Sequence, residues 1–191
     1  MDQGGTLADL RDVGAYLQGH FLLTTGRHSD TFFLLARLAE RPDRLRRWIS
    51  LLHEQMADIH ASAIVGPAVG GIIPAYQLAA LRPPCRALFT EKGDGDTMVF
   101  RRGFRLDPGE SVIIVEDAMT TGSSIQKAID AVGAYGASVA AIGTLVNRST
   151  SNKTPWSVPF YSVLTVKGIQ NWPPEDCPLC HKGEPLTKPK Q

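Results

Sequence analysis

Apolar positions recur along the chain in two rhythms. Leu7, Leu10, Val13, Ala15 and Leu17 lie near a 3.6-residue spacing and predict a first helix over Thr6 to Gln18. Leu45, Trp48, Ile49, Leu52 and Met56 keep the same spacing and predict a second over Asp43 to His60, with Arg41, Arg44, Arg46 and Arg47 on a solvated face. Between them Gly19-His20 interrupts the pattern, and FLLTTGRHSDTFFLL reads as extended and turn-rich. From Ala61 the rhythm changes to short unbroken apolar runs. Ala63 to Val65, CRALFTEK, SVIIVED, VAAIGTLVNR and FYSVLTV predict strands, and MVFRRGFRL a further strand or hairpin. IIPAYQLAAL and SSIQKAIDAVGAYG predict helices between them, and Asp107-Pro108-Gly109-Glu110 a turn. Continuous runs that alternate with helices imply an α/β fold, a parallel sheet covered on both faces.

The length of 191 residues fits one domain. Within it we expect an N-terminal segment over 1–42, an α/β core over 43–168, and a Pro-rich, polar tail over 169–191 that is partly mobile. A net charge of +1 gives no field to gather nucleic acid. The N-terminus lacks the basic and apolar regions of a signal peptide, and no apolar run approaches the ~18 residues of a membrane span. Three unevenly placed cysteines do not make a secreted disulfide framework. Together these features predict a soluble, cytoplasmic protein with no membrane or nucleic-acid partner.

The chemistry concentrates in VIIVEDAMTTGSS, Val112 to Ser124. A buried strand ends in Glu116 and Asp117, followed by a small, hydroxyl-rich turn into a helix. Ligands of open α/β sheets bind beyond the carboxyl ends of strands, and a helix start attracts anions. Two carboxylates beside such a turn would repel a phosphate unless they accept hydrogen bonds from hydroxyls or hold a divalent cation. A ribose 5-phosphate supplies both partners: its phosphate for the turn, its 2- and 3-hydroxyls for the carboxylates. A helix cap alone would need one Ser or Thr, not two acids and five small residues. No GxxxxGK[ST] and no GxGxxG after a strand is present. GPAVGG, at Gly66 to Gly71, is either a tight connection or a second phosphate-binding turn.

VIIVEDAMTTGSS resembles the phosphoribosyl-pyrophosphate (PRPP) signature of type I phosphoribosyltransferases. GHFLLTTGRHSDTFF, IVGPAVGGIIPA, MVFRRGFRLDPGE and EDCPLCHKGEP resemble segments of the orotate phosphoribosyltransferases. That resemblance implies a type I fold with a five-stranded parallel core and a small hood, a homodimer, Mg²⁺, and transfer of phosphoribose from PRPP to orotate in pyrimidine biosynthesis. It implies that Glu116, Asp117, Ala118, Met119, Thr120, Thr121, Gly122, Ser123 and Ser124 bind PRPP. Thr120, Arg148, Phe32 and Phe33 would contact orotate, and Val69, Gly70 and Gly71 would form the pyrophosphate loop. Lys92, on a mobile loop over Glu91 to Thr97 that covers the neighbouring subunit's site, and Asp117 would be catalytic.

The chain departs from that pattern at Thr24 and Gly70, where lysine is common, and at Glu91, where arginine is common. Arg27, His28, Arg101 and Arg102 are the candidates to supply the missing charge. Another base, such as a purine, and a non-catalytic PRPP-binding regulator are the rival functions. CPLCH, Cys177 to His181, reads first as a structural tail with no metal. With one more ligand, Cys177, Cys180 and His181 would suit zinc.

Overall fold

The structure, a computed structural model, describes residues 3–150 and 154–189. The chain opens with α1 (Gln3–Asp12), β1 (Tyr16–Leu22), β2 (His28–Phe33) and a short α2 (Ala36–Ala39). The core follows as α3 (Pro42–Gln55), β3 (Ala63–Pro67), α4 (Ile72–Ala80), β4 (Arg86–Lys92), β5 (Met98–Phe100), β6 (Ser111–Met119), α5 (Ser123–Gly133), β7 (Ser138–Asn147) and β8 (Phe160–Thr165). The tail adds β9 (Asn171–Trp172), a 3-10 turn and α6 (Pro178–His181).

The central sheet has the order β5-β4-β3-β6-β7-β8. Five of its strands run parallel and β5 pairs antiparallel at the edge. Alternation along β6 divides the core. Ile113 and Val115 join α3 and α4 on one face, with Trp48, Leu52 and Leu78. Val112 and Ile114 join α5 on the other, with Ile125, Ala128 and Val132. Burial of both faces explains why β6 is an unbroken apolar run. Helix α1 is held to α3 by Asp9, which accepts from Trp48 Nε1 at 2.7 Å and pairs with Arg44.

A second, three-stranded antiparallel sheet, β1-β2-β9, forms the hood. It corrects two expectations. Tyr16 and Leu17, predicted to close the first helix, pair instead with Phe33 and Phe32. The sheet takes them because the Tyr16 and Phe33 rings meet edge to face at 5.1 Å. The tail carries pairing that its polar sequence did not predict: β9 pairs with β2, and Thr187 hydrogen-bonds to β1 on its other side. Helix α3 ends at Gln55, five residues before the predicted His60. Glu91 and Lys92 belong to β4, paired with Val99 and Met98, so the loop is only 93–97. Among the described residues no helix is long and apolar enough to cross a membrane.

Candidate active site

Strand β6 carries the acidic pair to the carboxyl edge of the sheet, and the turn 120–122 leads directly into α5. Gly122, the residue before α5, has φ +80, a left-handed conformation that other residues adopt only under strain. A side chain there would also meet the Trp156 ring at 2.6 Å. The backbone thus reverses tightly at the start of an eleven-residue helix, where an anion is favoured.

Glu116 is buried, and its two oxygens accept from the Asp117 N–H at 3.1 Å and the Ser124 hydroxyl at 2.8 Å. Burial, with the adjacent Asp117 charge, pushes its pKa up to about 8 despite those bonds. The shift favours the neutral form of Glu116 and so reduces the negative charge of the pair. That lowers the repulsion a phosphate on the neighbouring turn would meet.

Asp117 faces the glycine-rich turn after β3. A Cβ on Gly70 would lie 2.6 Å from the Asp117 carboxylate carbon, so the two glycine-bearing loops converge on one carboxylate. The Asp117 Oδ1 accepts the Ala118 N–H at 2.6 Å. The Ala68–Val69 peptide is cis, and the Val69 side chain stands exposed beside Gly70.

On the other side of the turn lies a cavity of about 510 Å³, within the range of small-molecule sites. Thr120, Phe32, Phe33 and Arg148 line it together, so the residues that the resemblance assigned to one base, from β2, the turn after β6 and the end of β7, meet in one cavity. Arg148 stacks over the Phe33 ring, with 4.9 Å from the guanidinium carbon to the ring centre. Its Nε is buried and has no hydrogen-bond partner, and no ion pair to it appears among the described residues. Burial lowers its pKa, yet arginine stays charged in proteins. A partly buried guanidinium with an unbonded Nε suits an anion. A second cavity of about 460 Å³ continues along Thr120, Thr121, Ser149 and Thr150.

Of the proposed replacement charges, only Arg27 lines the larger cavity, where its guanidinium donates to the Asn171 side chain at 2.6 Å. Arg102 is neutralised by Glu91 at 2.8 Å, and His28 is buried in the hood against His20. Lys92 is exposed and lines neither cavity. Sequence reasoning missed Ile169 and Asn171, which close one wall of the larger cavity. No local motif marks them; only the pairing of β9 with β2 brings them there.

A family model described as the phosphoribosyl transferase domain matches residues 37–179. The orotate phosphoribosyltransferase of Heliobacterium modesticaldum is 40% identical over 192 residues, covering 99% of this chain and 98% of that protein. The chain belongs to the orotate phosphoribosyltransferase family. The orotate phosphoribosyltransferase of Carboxydothermus hydrogenoformans is 42% identical over 178 residues, 92% of this chain and 91% of that one. Among solved structures, that of the Aeropyrum pernix orotate phosphoribosyltransferase superposes with a TM-score of 0.68 at 30% identity, covering 82% of this chain and 91% of that chain. Family membership thus agrees with the sheet order and with the acidic pair that leads into α5.

Proposed function

We infer that the chain transfers the phosphoribosyl group of PRPP to orotate, giving orotidine 5-phosphate and pyrophosphate. One observation carries the choice of base. Arg148, placed over the Phe33 ring with its Nε unbonded, opens into the same cavity as Thr120. A planar, carboxylate-bearing base suits that fork and ring; a neutral purine would leave the guanidinium desolvated and unpaired.

In this reading the turn from Thr120 to Ser124 holds the 5-phosphate, and the side-chain oxygens of Glu116 and Asp117 accept hydrogen bonds from the ribose hydroxyls. Ala118 and Met119 place the turn, and Val69, Gly70 and Gly71 lie on the pyrophosphate side. Departure of pyrophosphate leaves an oxocarbenium-like ribose, whose positive charge Asp117 stabilises from the hydroxyl face. Mg²⁺ is the proposed cofactor, carried mainly by the oxygens of PRPP rather than by ligands of the chain. When bound, it supplies charge neutralisation to the departing diphosphate. A cytoplasmic site of action fits the biosynthetic role.

A competition among bases tests this reading. With PRPP and Mg²⁺ present, kcat/KM for orotate should exceed that for adenine or hypoxanthine by at least about 10³-fold, because a polar site left unpaired rejects strongly. Faster turnover of a purine would reassign the cavity.

A homodimer is part of the proposal. Ile73 and Tyr76 are 48% and 67% exposed beside an apolar groove between α4 and β4 of about 300 Å³, a surface suited to a second copy. Lys92, which lines neither cavity of its own chain, would act in the partner's site. Lys92→Ala is expected to cut kcat by about 100-fold while PRPP affinity falls only a few-fold, since the cation matters most as pyrophosphate leaves. Mixed with Asp117→Asn after subunit exchange, it should regain part of the activity, because a hybrid dimer has one site with both residues intact. No recovery in mixtures shown to have exchanged would remove Lys92 from the partner's site.

A further inference from the structure

We propose that His20, His28, Cys177 and Cys180 bind one structural Zn²⁺ that fastens the C-terminal tail to the β1–β2 hairpin. One ligand atom from each residue lies within 4.8 Å of all the others, although the two pairs are about 150 residues apart in sequence. His20 Nε2 is 2.9 Å from His28 Nδ1, 3.5 Å from Cys177 Sγ and 3.6 Å from Cys180 Sγ. Cys180 Sγ is 3.2 Å from His28 Nδ1. A tetrahedral zinc bound by two sulfurs and two nitrogens has ligand-to-ligand edges of roughly 3.3 to 3.8 Å. Along these four edges the atoms need shifts of only a few tenths of an ångström, and the remaining two edges are no longer than 4.8 Å. A hydrogen bond between the two imidazoles accounts for one contact and leaves two sulfurs converging on it without a reason.

The surroundings have what such a site requires. His20 Nδ1 donates to the Glu184 carbonyl at 2.8 Å, which fixes the tautomer and leaves Nε2 as the coordinating atom. β1 sets Gly19 and His20 against the single residue Asp30 of β2, a bulge that re-aims the His20 side chain. His20, His28 and Cys177 are buried, and four protein ligands leave no open position, the mark of a structural site. Binding releases the two thiol protons; two thiolates then neutralise the ion, so no net charge is buried. Mixed sulfur and imidazole ligands in this geometry select zinc. His181, which the sequence offered as a third ligand, is exposed and outside the cluster.

The staple has a structural consequence. The tail grips the hood hairpin on both edges, β9 against β2 and Thr187 against β1. Asn171 and Arg27, joined across that seam, line the larger cavity. Zinc thus holds a wall of the base pocket without touching it.

Metal analysis of the full-length chain, purified without chelator, tests the site independently of activity. We expect about one zinc per chain, and after exchange for Co²⁺ the visible spectrum of a tetrahedral cobalt thiolate. Cys180→Ser and His28→Asn should hold less than about 0.1 zinc per chain, whereas His181→Asn keeps the full equivalent. Because a misfolded variant would also lose metal, the cobalt spectrum of the wild-type chain is the second, mutation-free readout. Absence of stoichiometric zinc, another metal in its place, a Cys177–Cys180 disulfide, or zinc retained when both cysteines are serine would overturn the proposal.

Discussion

Arg148→Ala raises the KM for orotate by about 30- to 700-fold while the KM for PRPP stays within about threefold. The factor corresponds to roughly 2 to 4 kcal/mol, the loss expected when a desolvated, charge-assisted pair loses one partner. Arg148 has no structural debt to repay in the free protein. Its Nε is unbonded and its guanidinium makes no ion pair among the described residues, so truncation breaks no internal network. What it removes is a stacked cation over Phe33 and the anion site above it. Arg148→Lys should recover only part of the loss, because lysine restores charge without the planar fork. Steady-state kinetics with each substrate varied in turn decides the point. Equal increases in both KM values would make the arginine a packing element.

Asp117→Asn lowers kcat/KM for PRPP by at least about 100-fold and leaves thermal unfolding nearly unchanged. Asparagine keeps the oxygen that accepts the Ala118 N–H and fits the space beside Gly70. It loses the charge that faces the ribose hydroxyls and balances the cationic transition state. Glu116 is a poor replacement for that charge, since burial, the first cause of its raised pKa, persists in the variant. Wild-type kinetics in a folded Asp117→Asn variant would sink the role given to this carboxylate. A variant that loses both activity and fold would show instead that Asp117 organises the two loops.

Much of this architecture was legible in the chain. The 3.6-residue spacing of α3 and α5 and the unbroken run of β6 identified their own elements, because each is dictated by local burial. VIIVEDAMTTGSS marked the end of β6, the tight turn and the start of α5 because acid, hydroxyl and glycine are adjacent in sequence. What escaped reading depends on distant pairing. Tyr16 and Leu17 continued a helical rhythm, yet their strand partners lie beyond a turn, at Phe33 and Phe32. The polar tail carried no periodic signal; it is ordered by Asn171 and Trp172 along β2 and by buried Cys177 among the hood histidines. CPLCH announced two of four clustered ligands, and the other two come from strands some 150 residues earlier.

The central claim is that one cavity receives a carboxylate-bearing base beside a turn that holds PRPP. Its most direct test incubates the wild-type chain with orotate, PRPP and Mg²⁺ while orotate absorbance and released pyrophosphate are followed together. The account predicts loss of orotate matched mole for mole by pyrophosphate, with orotidine 5-phosphate as the product. Calorimetric binding of PRPP with no consumption of orotate would contradict it, and would leave the chain a PRPP-binding protein that does not use this base.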